Sequence, residues 1–394
     1  MDPVSLLPAI AVLTVATATS FFWAKRFGES PKQGRFASID GLRGFLALFV
    51  FLHHSCIWYF YLRSGKWEIP PSNFYTHLGQ SSVSLFFMIT GFLFFFKMID
   101  GRTTKIDWMR LYISRFLRLI PLYFCVISLM FLLVFILSNG TINEPISKLL
   151  PDMLSWLGFT IFGYPNLNGI ERTPLIIAGV TWSLPYEWFF YFSLPLLALT
   201  IGVKPPFACI VFGVISLGFA SGYPWIHYLS FLGGITAAFA VRSDFIRRFA
   251  VGHISSVIAI SCLIATVVFF PRAYGIMPVF LLTVFFILIA SGNSLFGFLL
   301  IRTSRLLGEF SYGIYLIHGV LLFMTFNFVI GLPQARELSA LQHWAVVIGV
   351  TPMLITLCFL TFTIIEQPAM QKTNWLTAKF RSFFSKRIKL RVPR

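Results

Sequence analysis

The chain has 394 residues, 57% hydrophobic and only 11% charged, with a formal net charge of +17. A soluble domain carries about 25% charged residues, so too few polar groups are present to solvate a globule of this length. The composition excludes a soluble fold and predicts an all-α, polytopic integral membrane bundle of about eleven transmembrane helices.

In chain order, the expected spans are 5–23, 42–62, 78–96, 119–137, 183–201, 206–220, 224–241, 254–270, 274–291, 311–331 and 343–365. The first begins Met-Asp-Pro, and its positive charges, Lys25 and Arg26, follow it. That order suits a retained anchor with its N-terminus outside rather than a cleaved leader. Residues 1–35 therefore read as an additional anchor plus a basic inner loop, 36–370 as the core, and 371–394 as a basic cytoplasmic tail.

Orientation follows from Lys and Arg in the connections. With the N-terminus outside, the inner loops and tail hold 25 of them and the outer segments 6. This asymmetry also decides residues 149–163, which are apolar enough to tempt assignment as a span. A full crossing there would invert every later loop, so the segment is expected to be an external or half-buried helix. The tail from Phe380 interleaves basic and apolar residues and is expected to lie on anionic lipid, with no role for nucleic acid. Five cysteines fall inside apolar runs at spacings that match no metal site and suggest no disulfide framework.

Ionisable groups inside a bilayer are costly and mark function when they face the protein interior. The segment IDGLRGFLALFVFLHH, from Ile39, carries Arg43 and His54 eleven residues apart. At ~100° and ~1.5 Å per residue they differ by roughly 20° and lie about 16 Å apart on one helix face. Arg43 then marks the cytoplasmic rim and His54 the midplane; the plain alternative is a snorkelling Arg and a His bonded to a neighbouring helix. Arg115 and Arg118 share a face in the basic run before the fourth span. With Arg110 and Arg43 they have the fork geometry that grips phosphate. In TWSLPYEWFFY, from Thr181, Ser183, Glu187 and Tyr191 recur every four residues as one stripe. Glu187 needs a partner there, and His54 is the natural candidate. His318 lies within the tenth span, and Glu366 ends the eleventh. A cytoplasmic Arg cluster beneath a buried His suits coenzyme A, with phosphates at the rim and the thioester threaded inward. A proton-coupled transporter or flippase would use His54 and Glu187 equally well, although no inverted repeat is evident.

The ordered motifs IDGLRG with His54, VSLFFMITGFLFF, SRFLRLIPLYF, TWSLPYEWFFYFSLPLL, FSYGIYLIHG and IIEQP resemble those of membrane-bound acyltransferase family three, over about residues 36–370. Members O-acylate surface polysaccharides, lipopolysaccharide O-antigen, peptidoglycan and some antibiotics. The resemblance implies a ten-span core preceded here by one extra span, in a bacterial inner membrane with the C-terminus cytoplasmic. It implies O-acetyl transfer from acetyl-CoA to a cell-surface or lipid-linked glycan, or to a small secreted metabolite. His54 is then the catalytic base or acyl relay, Glu187 its acidic helper, and Arg43, Arg115 and Arg118 hold the acyl-CoA. Asp40, Ser183, Tyr191 and His318 support substrate or catalytic groups, and no metal is expected. Thr90 departs from the usual Ser before Gly91, and Pro185 and Trp188 depart around Glu187.

Overall fold

The computed structural model describes residues 2–26 and 34–389, with side chains to residue 383. Lys32 of the first basic loop and the last basic residues of the tail lie outside the described residues. Among the described residues no β-strand is present, and the helices are α1 (Leu7–Arg26), α2 (Ala37–Ser64), α3 (Asn73–Asp100), α4 (Trp108–Leu137), α5 (Ile146–Leu157), α6 (Leu184–Thr200), α7 (Phe207–Ala220), α8 (Tyr228–Ala240), α9 (Asp244–Ala250), α10 (His253–Phe269), α11 (Ile276–Ala290), α12 (Arg302–Glu309), α13 (Ser311–Met324), α14 (Leu332–Glu337), α15 (Ala340–Thr361), α16 (Gln367–Gln371) and α17 (Thr373–Lys389).

Each of the eleven expected spans coincides with one of these helices, giving the multi-pass helical bundle that the composition predicts. Among the described residues six helical stretches are long and apolar enough to cross a bilayer unaided: α1 to α4, Ser311–Val329 and Ala340–Phe383. The pair Trp225–Ala240 and Asp244–Ala250, bent by 104°, makes a seventh if it acts as one span. Helices α6, α7, α10 and α11 have 17, 14, 17 and 15 residues, short of the ~20 that a straight crossing needs. Gly202, Pro205, Pro206, Gly222 and Pro224 punctuate this half of the chain and cut its helices short. The tempting segment 149–163 forms only the twelve-residue α5. Beyond it the chain turns through Phe159 and Thr160, both in the left-handed region at φ 58° and 55°.

Two close helix crossings set the frame for the site. Gly234 of α8 lies against the Met88 carbonyl of α3, and Gly91 of α3 against the Phe231 carbonyl of α8, with no room for a Cβ on either. Gly308 at the end of α12 similarly meets the Asp40 carbonyl, while Gly44 meets Leu307. Small residues let backbones approach in this way where lipid supplies no hydrophobic drive between helices. The second crossing brings Asp40 and Arg43 to the junction of α12 and α13.

Helix α1 is packed onto the bundle. Trp23 Nε1 donates to Thr356 Oγ1 at 3.1 Å, and Trp344 Nε1 on α15 donates to the Pro3 carbonyl at 2.9 Å. At the other terminus, α17 returns to the start of α4, where Arg381 hydrogen-bonds Asp107. Asp107 caps α4 by accepting from Arg110 N–H at 3.1 Å.

Candidate active site

A cavity of about 330 Å³ lies among α2, α3, α4, α6 and α13. That volume is at the lower end of the ~300–1,000 Å³ typical of small-molecule sites. Asp40, Arg43, Arg115, Arg118, Ser183, Glu187 and Tyr191, all singled out from sequence, line it. Their helices account for this gathering. Pro185 occupies the first turn of α6, where its missing N–H costs nothing, and it starts the helix just ahead of Glu187. The i, i+4 spacing then lets Tyr191 Oη donate to Glu187 Oε2 at 2.9 Å. Trp188, the other departure near Glu187, turns away and packs on Phe116 and Phe159 at ring separations of 4.9 and 5.0 Å. Thr90 also lines the cavity.

The three arginines are not equivalent. Arg118 is engaged: Nη2 donates to the Glu309 carbonyl at 3.0 Å, and Nη1 lies 3.3 Å from Met370 Sδ and 3.6 Å from Glu366 Oε2. Arg115 reaches Ser114 Oγ at 3.4 Å and lies over the Phe94 ring at 5.1 Å. Arg43 makes no hydrogen bond or ion pair among the described residues; its charge is offset by nearby Asp40 and Glu309. Three guanidinium groups thus stand in the cavity against three carboxyl groups, Asp40, Glu187 and Glu309.

His54 and His318 do not line this cavity. They pair with each other, His54 Nδ1 to His318 Nε2 at 3.0 Å. His318 Nδ1 also lies 2.8 Å from the Ile314 carbonyl, which can only accept. His318 Nδ1 must therefore carry the proton and Nε2 the lone pair, so His54 Nδ1–H is the donor between the rings. His54 Nε2 is left as a lone pair with no hydrogen-bond partner among the described residues, beneath Trp67, whose ring stacks at 6.1 Å. Neighbouring His53 is spent on structure, its Nδ1 donating to the Tyr75 carbonyl at 2.8 Å.

The expected Glu187–His54 pair is not formed. Glu187 faces Tyr191, with Arg43 and Arg115 as its nearest charges, and His54 takes its partner from α13 instead. Tyr315 lines the cavity one helical turn before His318. Its hydroxyl lies 2.8 Å from Ser183 Oγ and 2.9 Å from the Val180 carbonyl. The cavity lining includes Ser183 and Tyr315 but not His54, so the stripe shared by Arg43 and His54 is not lined continuously.

Sequence reasoning missed Glu309, Tyr312, Tyr315 and Met370 as lining residues. Three of these lie in or beside FSYGIYLIHG, where a tyrosine every third residue ahead of a buried histidine was the available signal. Glu366, a helix-end residue by sequence, is fully buried as the counter-ion of Arg118. Its signal was its place in a chain with only 14 acidic residues.

Residues 36–364 match a family described as an acyltransferase domain, acyltransferase family 3. The chain is also similar to "Acyltransferase MdmB" of Streptomyces mycarofaciens, 24% identical over 387 residues, covering 86% of this chain and 93% of that protein. No solved structure gives a significant match.

Proposed function

The chain belongs to acyltransferase family 3, and from that membership we propose that this membrane acyltransferase takes an acetyl group from cytoplasmic acetyl-CoA and passes it to a hydroxyl of a cell-surface or lipid-linked glycan. The observation that carries the proposal is the His54–His318 bond, which leaves His54 Nε2 as an unencumbered base. Direct transfer follows. His54 Nε2 takes the proton of the acceptor hydroxyl as its oxygen attacks the thioester carbonyl. The carbon–sulfur bond then breaks, and the leaving thiolate receives that proton from His54. Products are the acetyl ester and free coenzyme A, with His54 returned to its starting state.

The cavity residues serve the donor. Arg43 has an unused guanidinium, and Arg115 and Arg118 complete a basic wall at the end nearer α16. Glu187, held by Tyr191, offsets Arg43 and Arg115 rather than His54. His54 does not line the cavity, so the lining has to open for the thioester to reach Nε2, and the Ser183–Tyr315 pair, one turn from His318, is the proposed place. The proposed setting is a bacterial inner membrane with the N-terminus outside and the tail cytoplasmic. It rests on the Lys and Arg asymmetry.

The test uses the purified full chain with radiolabelled acetyl-CoA and glycan acceptors. The parent is expected to transfer label to the acceptor, and His54→Ala to lose at least ~10²-fold, the usual contribution of a general base. Turnover that survives His54→Ala in a folded protein overturns the mechanism. A parent that never consumes the thioester overturns the donor assignment.

A further inference from the structure

A second basin, about 450 Å³, adjoins the cavity through Met370, which lines both. Lys97 at the end of α3 and Arg110 at the start of α4 form its charged wall. Thr373 and Asn374 of the C-terminal segment face them. No carboxylate lines it. Lys97 and Arg110 make no side-chain hydrogen bond or ion pair among the described residues, because the nearest acid, Asp107, is taken by Arg381. Lys97 instead stands close enough to Arg110 and Arg115 to be repelled by both.

The two compartments differ in charge. Three carboxyl groups face the three guanidinium groups of the inner cavity, and Arg118 is further committed to Glu366 and the Glu309 carbonyl. The outer basin has no lining carboxylate, and Asp107, which offsets Lys97 and Arg110, stands outside its lining. A polyanion entering from this end gains most from the basin and least from the cavity. The cavity is moreover too small for a whole nucleotide thioester, yet its aromatic and aliphatic lining suits a slim, weakly polar arm.

We propose that the basin is the nucleotide-phosphate subsite of the donor, with Lys97 and Arg110 selecting for the 3′-phosphate on the ribose of coenzyme A. This rests on the acetyl-CoA reading above. The pyrophosphate then sits nearer Arg115, and the pantetheine arm passes Arg43 into the cavity. The C-terminal segment becomes one wall of the donor site.

The test is equilibrium binding to the purified full-length chain, comparing coenzyme A with 3′-dephospho-coenzyme A, without acceptor or turnover. A charge-assisted phosphate contact made by one ligand only predicts about a tenfold preference of the parent for coenzyme A. Lys97→Gln and Arg110→Gln, both at exposed positions, are expected to weaken coenzyme A several-fold and leave the dephospho form unchanged, so the preference collapses. Arg43→Gln is expected to weaken both ligands alike. Equal parent affinity for the two ligands overturns the subsite. So does a parent preference that survives both basin substitutions. A parent that binds neither ligand removes the donor reading itself and the subsite with it.

Discussion

Replacing His318 with Leu tests whether it acts through His54. The His54 Nδ1–H···Nε2 His318 bond of 3.0 Å is a neutral hydrogen bond, contributing ~0.5–1.5 kcal/mol. Removing it releases His54 to populate the other tautomer, whose Nε2 bears a proton and cannot accept another. At 1.4 kcal/mol per decade, the ratio of competent to incompetent tautomer falls by about two- to tenfold, which is the upper limit for the competent fraction. The expected result is thus a kcat reduced at most ~2–10-fold with KM for acetyl-CoA unchanged, against the far larger loss in His54→Ala. Because the two rings act as one unit, His318→Leu should cost nothing further in a His54→Ala background. His318→Gln, able to accept the same hydrogen bond, should recover most of the rate. Two results would refute this account: a His318→Leu loss as large as that of His54→Ala, or an undiminished loss in the double variant.

Further expectations concern the frame and its edges. Arg118 is 12% exposed and Glu366 fully buried, so removing one partner leaves a stranded charge. Arg118→Met should cost ~3–5 kcal/mol and the paired Arg118→Met/Glu366→Met change much less, read from thermal unfolding in detergent. Gly234→Ala drives a methyl into the Met88 carbonyl and should cost ~1–3 kcal/mol in the same assay. Partial burial pushes the Asp107 carboxyl up, but hydrogen bonds from Arg110 N–H and Arg381 outweigh it and hold the group below the ordinary 3.8. With its folded value depressed, its support of the α4–α17 junction is complete above that ordinary value and lost as pH falls through the folded one. Protection against hydrogen exchange across 373–383, relative to the intrinsic rate at each pH, should accordingly fall in acid, and in Asp107→Ala already at neutral pH, where an N-cap worth ~0.5–2 kcal/mol has gone.

Local spacing made much of this legible. The i, i+4 stripe of Glu187 and Tyr191 and the Arg115–Arg118 pair depend on one helix each, and both line the cavity as helical geometry demands. The helix positions were equally visible, since apolar run length and Gly/Pro punctuation are local properties. What could not be read was which helices touch. The His54–His318 bond joins residues 264 apart in sequence. Four intramembrane ionisable groups allow several pairings, and sequence chose Glu187 for His54 on charge alone. Packing decided otherwise: His54 bonds His318 on α13, and Glu187 bonds Tyr191 on its own helix. The tail illustrates the same limit. Its basic, amphipathic composition pointed to lipid, while the start of α17 also walls the basin beside α4, a placement fixed by Asp107 and Arg381.

The cost of opening the lining at Tyr315 bears directly on whether the proposed transfer is feasible. Two hydrogen bonds hold the Tyr315 hydroxyl, to Ser183 Oγ and to the Val180 carbonyl. At ~1 kcal/mol net each, parting both leaves roughly 3% of molecules open at any moment. A turnover of ~10 s⁻¹ corresponds to a barrier of about 16 kcal/mol, so an opening that costs ~2 kcal/mol adds little to it. A thioester carbonyl arriving in the cavity can itself accept from the Tyr315 hydroxyl, which lowers that cost further. A path from the cytoplasmic rim to the outer face that stood open at rest would admit water to the thioester. A tyrosine held by two ordinary hydrogen bonds would keep that path shut in most molecules and remain weak enough for the donor to displace.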